Sequence, residues 1–145
     1  MRKYAGIGSR DVDEKYLEMA REAAKSLYED GYTLRSGGAR GMDKAFESEA
    51  GDKKEILRPK DATEEAMEIA RYNHPYWHAC NDYAKRLHGR NVQIILGKYL
   101  DDPVEFVLYW TYDETQGGTA MGLKIARDRG IPTYSVGHWE KQYAV

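Results

Sequence analysis

The chain has 145 residues, 41% hydrophobic and 32% charged, with a formal net charge of −2. This length and balance fit one domain with a full core and exclude a disordered chain. The lack of basic excess argues against a dedicated nucleic-acid binder, and no apolar run approaches the ~20 residues of a membrane span.

The single cysteine, Cys80, cannot form an internal disulfide, which fits a reducing cytoplasm. Met1 to Tyr4 leads straight into a strand-like segment without a signal-peptide pattern.

Tyr4 to Ile7 reads as a short buried strand, broken by Gly8-Ser9-Arg10. Asp13 is placed to cap a helix in which Leu17, Ala20, Ala24 and Leu27 recur at helical spacing, and Gly31 is placed to stop it. Tyr32 to Arg35 is a second strand, followed by a glycine-rich stretch and a helix to about Gly51. Glu55 to Leu57 is a third strand. Thr63 is placed to cap a helix with Ala66, Ile69, Ala70 and Asn73 on its inner line. Pro75 interrupts that helix and begins another, on which Trp77, Cys80, Ala84 and Leu87 repeat and Cys80 is expected as a small buried residue. This two-helix insert, around residues 62–88, is longer than a plain crossover needs and is expected to wall one side of a site.

Val92 to Leu96 and Phe106 to Trp110 are near-continuous apolar runs, expected as the fourth and fifth strands and central in a parallel sheet covered on both faces. Thr115 to Thr119 opens a helix to about Arg129, Gly130 stops it, and Ile131 to Val136 is the last strand. The tail from Gly137 to Val145 carries no assignable pattern. Residues 1–145 are therefore expected to form a single α/β domain: a Rossmann-like, doubly wound, mainly parallel sheet with helices on both faces.

Ligands bind such sheets outside the carboxyl ends of the strands. Three glycine loops fall there: Gly8-Ser9-Arg10, Ser36-Gly37-Gly38-Ala39-Arg40-Gly41-Met42-Asp43, and Gly117-Gly118-Thr119. Glycines permit tight turns and close backbone approach, and free N–H groups at a helix start attract an anion such as phosphate. Arg10 and Arg40 would add charge-assisted contacts, with hydroxyls from Ser9, Ser36 and Thr119. Asp43 repels phosphate and is better suited to a sugar hydroxyl, a base edge or Arg40. Trp110 and Tyr112, at the end of a central strand, are candidates for stacking on a base, and core packing explains Trp110 equally well.

The three loops, with Ala5-Gly6-Ile7-Gly8-Ser9-Arg10 at the start and Ala126 and Gly130 after the last, resemble the SLOG superfamily. This Rossmann-like group contains the DNA-processing protein DprA/Smf and the LOG phosphoribohydrolases. The resemblance spans nearly the whole chain. Its first two motifs look most like DprA, and the short form looks like small SLOG proteins often found in bacteriophages.

The resemblance implies three activities. The first is binding of a nucleotide or nucleotide-derived, ADP-ribose-like ligand, as in sensing or sequestering a cyclic signalling nucleotide in phage anti-defence. The second is LOG-like N-glycosidase action on nucleoside monophosphates. The LOG pattern Gly-Thr-x-x-Glu ends in a carboxylate, where this chain has Gly122, so a substitute must come from elsewhere: Asp43, Glu47, Asp113 or Glu114, with Asp43 and Glu114 the leading candidates. The third is DprA-like binding of single-stranded DNA. Ligand recognition without turnover is the reading the Gly122 departure favours. The resemblance also implies a homo-oligomer, dimer or tetramer, with the aromatic-rich stretch from Tyr72 to Leu87 as its interface.

No cofactor is implied. His74 and His78 have the spacing of paired metal ligands on a helix, but Pro75 between them breaks that helix, so no metal site is assigned. These side chains are expected to line or lid the pocket. Arg90 and Asn91 are expected at the amino end of the fourth strand, away from the loops.

Overall fold

A computed structural model describes residues 2–139. Its sheet has five parallel strands among the described residues: β1 (Lys3–Gly8), β2 (Thr33–Ser36), β3 (Lys54–Ile56), β4 (Phe106–Trp110) and β5 (Thr133–Ser135). The order is β3-β2-β1-β4-β5. The chain winds outward from β1 to β3 and then returns to place β4 on β1's other side. The crevice between β1 and β4 is therefore a topological switch point, where open α/β sheets bind ligands.

Helices cover both faces, as expected. α1 (Glu14–Glu29) and α2 (Met42–Ser48) pack on one face, where Ala20, Ala24, Leu27, Met42 and Phe46 meet Tyr4, Leu34, Phe106 and Leu108. α3 (Glu64–Asn73), α4 (Asp82–Leu96) and α5 (Gly117–Asp128) serve the other, where Ala70, Val92, Ile95, Leu123 and Ile125 meet Ala5, Ile7, Val107 and Tyr109. Thr63 caps α3 by accepting from the Ala66 N–H at 3.1 Å. Asp13 precedes α1 without a side-chain cap bond.

The run Val92 to Leu96 is not a strand. It is the last part of α4, whose start is capped by Asn81 accepting from the Ala84 N–H at 2.8 Å. From Val92 to Leu96 every residue is buried, because the helix packs on the sheet while α3 and α5 pack on it. A helix end buried all round has no polar face, so its sequence has the continuous apolar character of a central strand. The stretch before it also differs from expectation. Trp77–Ala79 is a single 3₁₀ turn, and Cys80 ends that turn half-buried rather than lying inside a helix. Of the tail, residues 140–145 lie outside the described residues.

Arg35 of β2 is fully buried. Its guanidinium donates to the Asp102 carboxylate and to the Asp102 carbonyl, both at 2.8 Å, and Lys3 reaches the same carboxylate. The Lys3 hydrogen bond is the main reason Asp102 ionises below the ordinary carboxylate range. This cluster lies at the Asp102 loop just ahead of β4, remote from the glycine loops.

Candidate functional site

The residues that follow β1, β2 and β4 converge on a cleft of about 540 Å³. Gly8, Ser9 and Arg10 enter it from β1, Ala39, Arg40 and Asp43 from the β2 loop and α2, and Thr111 and Tyr112 from β4. Gly117, Gly118 and Thr119 form the first turn of α5, whose leading N–H groups have no acceptor within the helix. Gly122 lines the same space one turn later.

Ser9 holds these loops in register. Its hydroxyl donates to Thr111 Oγ1 at 3.0 Å and accepts from the Tyr112 N–H at 3.3 Å, while its carbonyl accepts from the Met42 N–H at 3.1 Å. Gly41 has φ +84°, and a Cβ there would run into the carbonyls of Ser9 and Arg10, so only glycine lets the second loop close on the first.

The other predicted glycines shape the cleft without lining it. Gly37 and Gly38 are buried, their carbonyls facing the guanidinium of Arg58, and the Ser36 hydroxyl donates to the Gly6 carbonyl at 2.6 Å. Trp110 is half-buried and stacked on Tyr16, with ring centroids 4.2 Å apart. Tyr112 is 63% exposed at the cleft and meets Trp110 edge-on. Glu114 is not among the cleft-lining residues. It accepts from the Tyr109 hydroxyl and from Arg127, both at 2.9 Å.

Asp43 does line the cleft, although only 7% of its surface is exposed. Its carboxylate accepts from the Ala39 N–H at 3.3 Å. Burial pushes its pKa up to about 6, against the opposing pull of backbone N–H groups and of Arg90 and Arg10. It is therefore a carboxyl able to change protonation near neutrality inside the cleft.

Arg90 and Asn91 do not lie away from the glycine loops. Because α4 takes the place of a fourth strand, they sit on a helix that passes beneath the glycine loop rather than at a strand's amino end. Both line the cleft. Arg90 Nη1 donates to the carbonyls of Gly37 at 3.0 Å and Leu57 at 2.9 Å, and its Nε donates to Asn91 Oδ1 at 3.0 Å. No local sequence pattern marks Arg90, because its burial opposite the buried Asp43 arises only once the helix is in place. Arg10 is exposed at the rim and has no salt-bridge partner among the described residues, whereas Arg40 pairs with Asp11 at 3.2 Å.

Neither a protein-family model nor a curated protein sequence matches the chain. Among solved structures it is similar to DNA processing protein A from Helicobacter pylori, a structure described for its unique single-stranded DNA binding mode. The TM-score is 0.66 at 18% identity, covering 92% of this chain and 64% of the other. The similarity is one of fold, and this chain spans less than two thirds of that protein's length. Among the described residues no helix is long and apolar enough to cross a membrane.

Proposed function

We propose that the cleft binds a nucleotide-derived ligand, with a phosphate held by the first turn of α5 and by Arg10. The observation that carries this reading is the convergence of three glycine loops on one cleft at the switch point, of a size suited to a small ligand. Tyr112 offers a stacking face for a base, and Asp43 a partner for a sugar hydroxyl or base edge. Sensing or sequestering a signalling nucleotide is the concrete form of this proposal. A homo-oligomer remains part of it, with the exposed rings of Tyr72, Tyr76 and Tyr83 as the contact surface.

A second reading, single-stranded DNA as the ligand, is favoured by the fold similarity to DNA processing protein A. Phosphate loops and an exposed aromatic suit a single strand as well as a free nucleotide.

Calorimetry of ligand-stripped protein with ADP-ribose, AMP and a short oligothymidylate tests both. Stoichiometric binding of a mononucleotide derivative, lost in Arg10→Ala, supports the first reading. Binding of the oligonucleotide alone, weakening steeply with salt, replaces it with the second. Binding of none of them defeats both.

A further inference from the structure

We propose that His74, Cys80 and His88 form a zinc site that clasps the segment between α3 and α4 onto α4. Each offers one ligand atom, and the three atoms lie within 4.8 Å of one another. Cys80 Sγ is 3.9 Å from His74 Nε2, and the rings of His74 and His88 are 4.5 Å apart. With Zn–N bonds of ~2.0 Å and a Zn–S bond of ~2.3 Å, a tetrahedral site has ligand–ligand edges of ~3.5 Å. The cluster reaches that geometry by moving its side chains inward by about 1 Å or less.

The donor set selects the metal class. Two imidazoles and one thiolate suit a borderline-soft ion such as Zn²⁺, and three protein ligands leave the fourth position to water. Trp77 stands beside both imidazoles, 6.2 Å from His74 and 6.4 Å from His88 between ring centroids, giving the site an apolar side. His88 Nδ1 is buried and has no hydrogen-bond partner among the described residues. A buried ring nitrogen left unpaired on one of the three clustered residues calls for a partner.

His74 Nδ1 accepts from the Tyr76 N–H at 3.1 Å, so in the metal-free protein the ring proton sits on Nε2, toward Cys80. On coordination through Nε2 that proton moves to Nδ1, which then no longer accepts from the Tyr76 N–H. The Cys80 thiol becomes a thiolate, and one proton is released per zinc bound.

The site stands independently of any nucleotide, but it bears on the cleft, because His88 also lines that cavity with Ala84 and Leu87. The clasp would secure the connection from Asn73 to Asn81, which lacks regular structure beyond one 3₁₀ turn.

Elemental analysis of the protein purified with zinc present, followed by cobalt substitution, tests the assignment. The expected result is about one zinc per chain and, with Co²⁺, a thiolate charge-transfer band together with tetrahedral d–d bands. Cys80→Ser abolishes the charge-transfer band and His88→Gln weakens metal binding at least about tenfold, while His78→Ala leaves both unchanged. Folded wild-type protein without stoichiometric metal, a cobalt spectrum indifferent to Cys80→Ser, or loss of metal in His78→Ala would overturn the proposal. Circular dichroism of each variant establishes that it is folded.

Discussion

Arg90 Nη1 donates to the carbonyl of Gly37 at 3.0 Å, joining the middle of α4 to the loop between β2 and α2. The same nitrogen holds the Leu57 carbonyl at 2.9 Å. One buried guanidinium thus pins the glycine loop and the exit of β3 from below, and its charge faces Asp43 within the cleft. The floor of the site is built by a helix rather than by a strand.

Arg90→Met removes these bonds and leaves two carbonyls in a buried setting. Charge-assisted hydrogen bonds and unsatisfied buried groups each carry a few kcal/mol, so the variant should lose about 2–4 kcal/mol of stability. Urea denaturation measures this, and ligand affinity should fall with it because the Gly37 loop is released.

Asp43 makes stability depend on pH in an unusual direction. Its folded-state pKa of about 6 lies above the ordinary 3.8, so between these values the folded protein holds a proton that the unfolded chain gives up. Its contribution is therefore greatest at acidic pH, declines as pH rises from 3.8 to about 6, and is level above that. At 1.36 kcal/mol per pKa unit the change is about 3 kcal/mol. The stability of wild type relative to Asp43→Asn should drop by that order between about pH 4 and about pH 7, as read by denaturation of both proteins.

An anion bound beside Asp43 favours its protonated form. Phosphate-bearing ligands should bind more tightly as pH falls through about 6, with proton uptake seen as a buffer-dependent calorimetric enthalpy. Asp43→Asn should remove the uptake. If the protein also cleaves its ligand, the same variant should abolish release of free base, because Glu114 is tied to Arg127 and Tyr109 outside the cleft.

Gly41→Ala places a Cβ against the carbonyls of Ser9 and Arg10 at a residue with φ +84°. Strain and collision together should cost on the order of 2 kcal/mol or more. The Ser9–Met42 backbone bond should loosen as well, which hydrogen exchange at the Met42 amide would detect.

Tyr112→Ala should have the opposite profile. The side chain is mostly exposed and its main contact is the edge of Trp110, so stability should change little. If its ring stacks on a base, affinity should fall by about 1–3 kcal/mol. Unchanged affinity would remove Tyr112 from the site.

The local sequence determined the alternation of strand and helix around three glycine turns, which is enough to place a parallel, doubly wound sheet and to put Gly8-Ser9-Arg10 and Gly117-Gly118-Thr119 at the carboxyl ends of its strands. Those features depend on backbone periodicity and on residues whose conformational freedom is intrinsic, so they are legible one segment at a time. Tertiary structure decided that Val92 to Leu96 is helical, because burial on every side erased the polar face that would have marked it. That packing brings Arg90 under Gly37, and places His88 with His74 and Cys80, residues 14 and 8 positions earlier in the chain. It also decided that Trp110 stacks on Tyr16 while Tyr112 lines the cleft, since neighbouring residues at a strand's end diverge according to what each face meets. Such groupings come from how distant segments pack, and no local pattern encodes them.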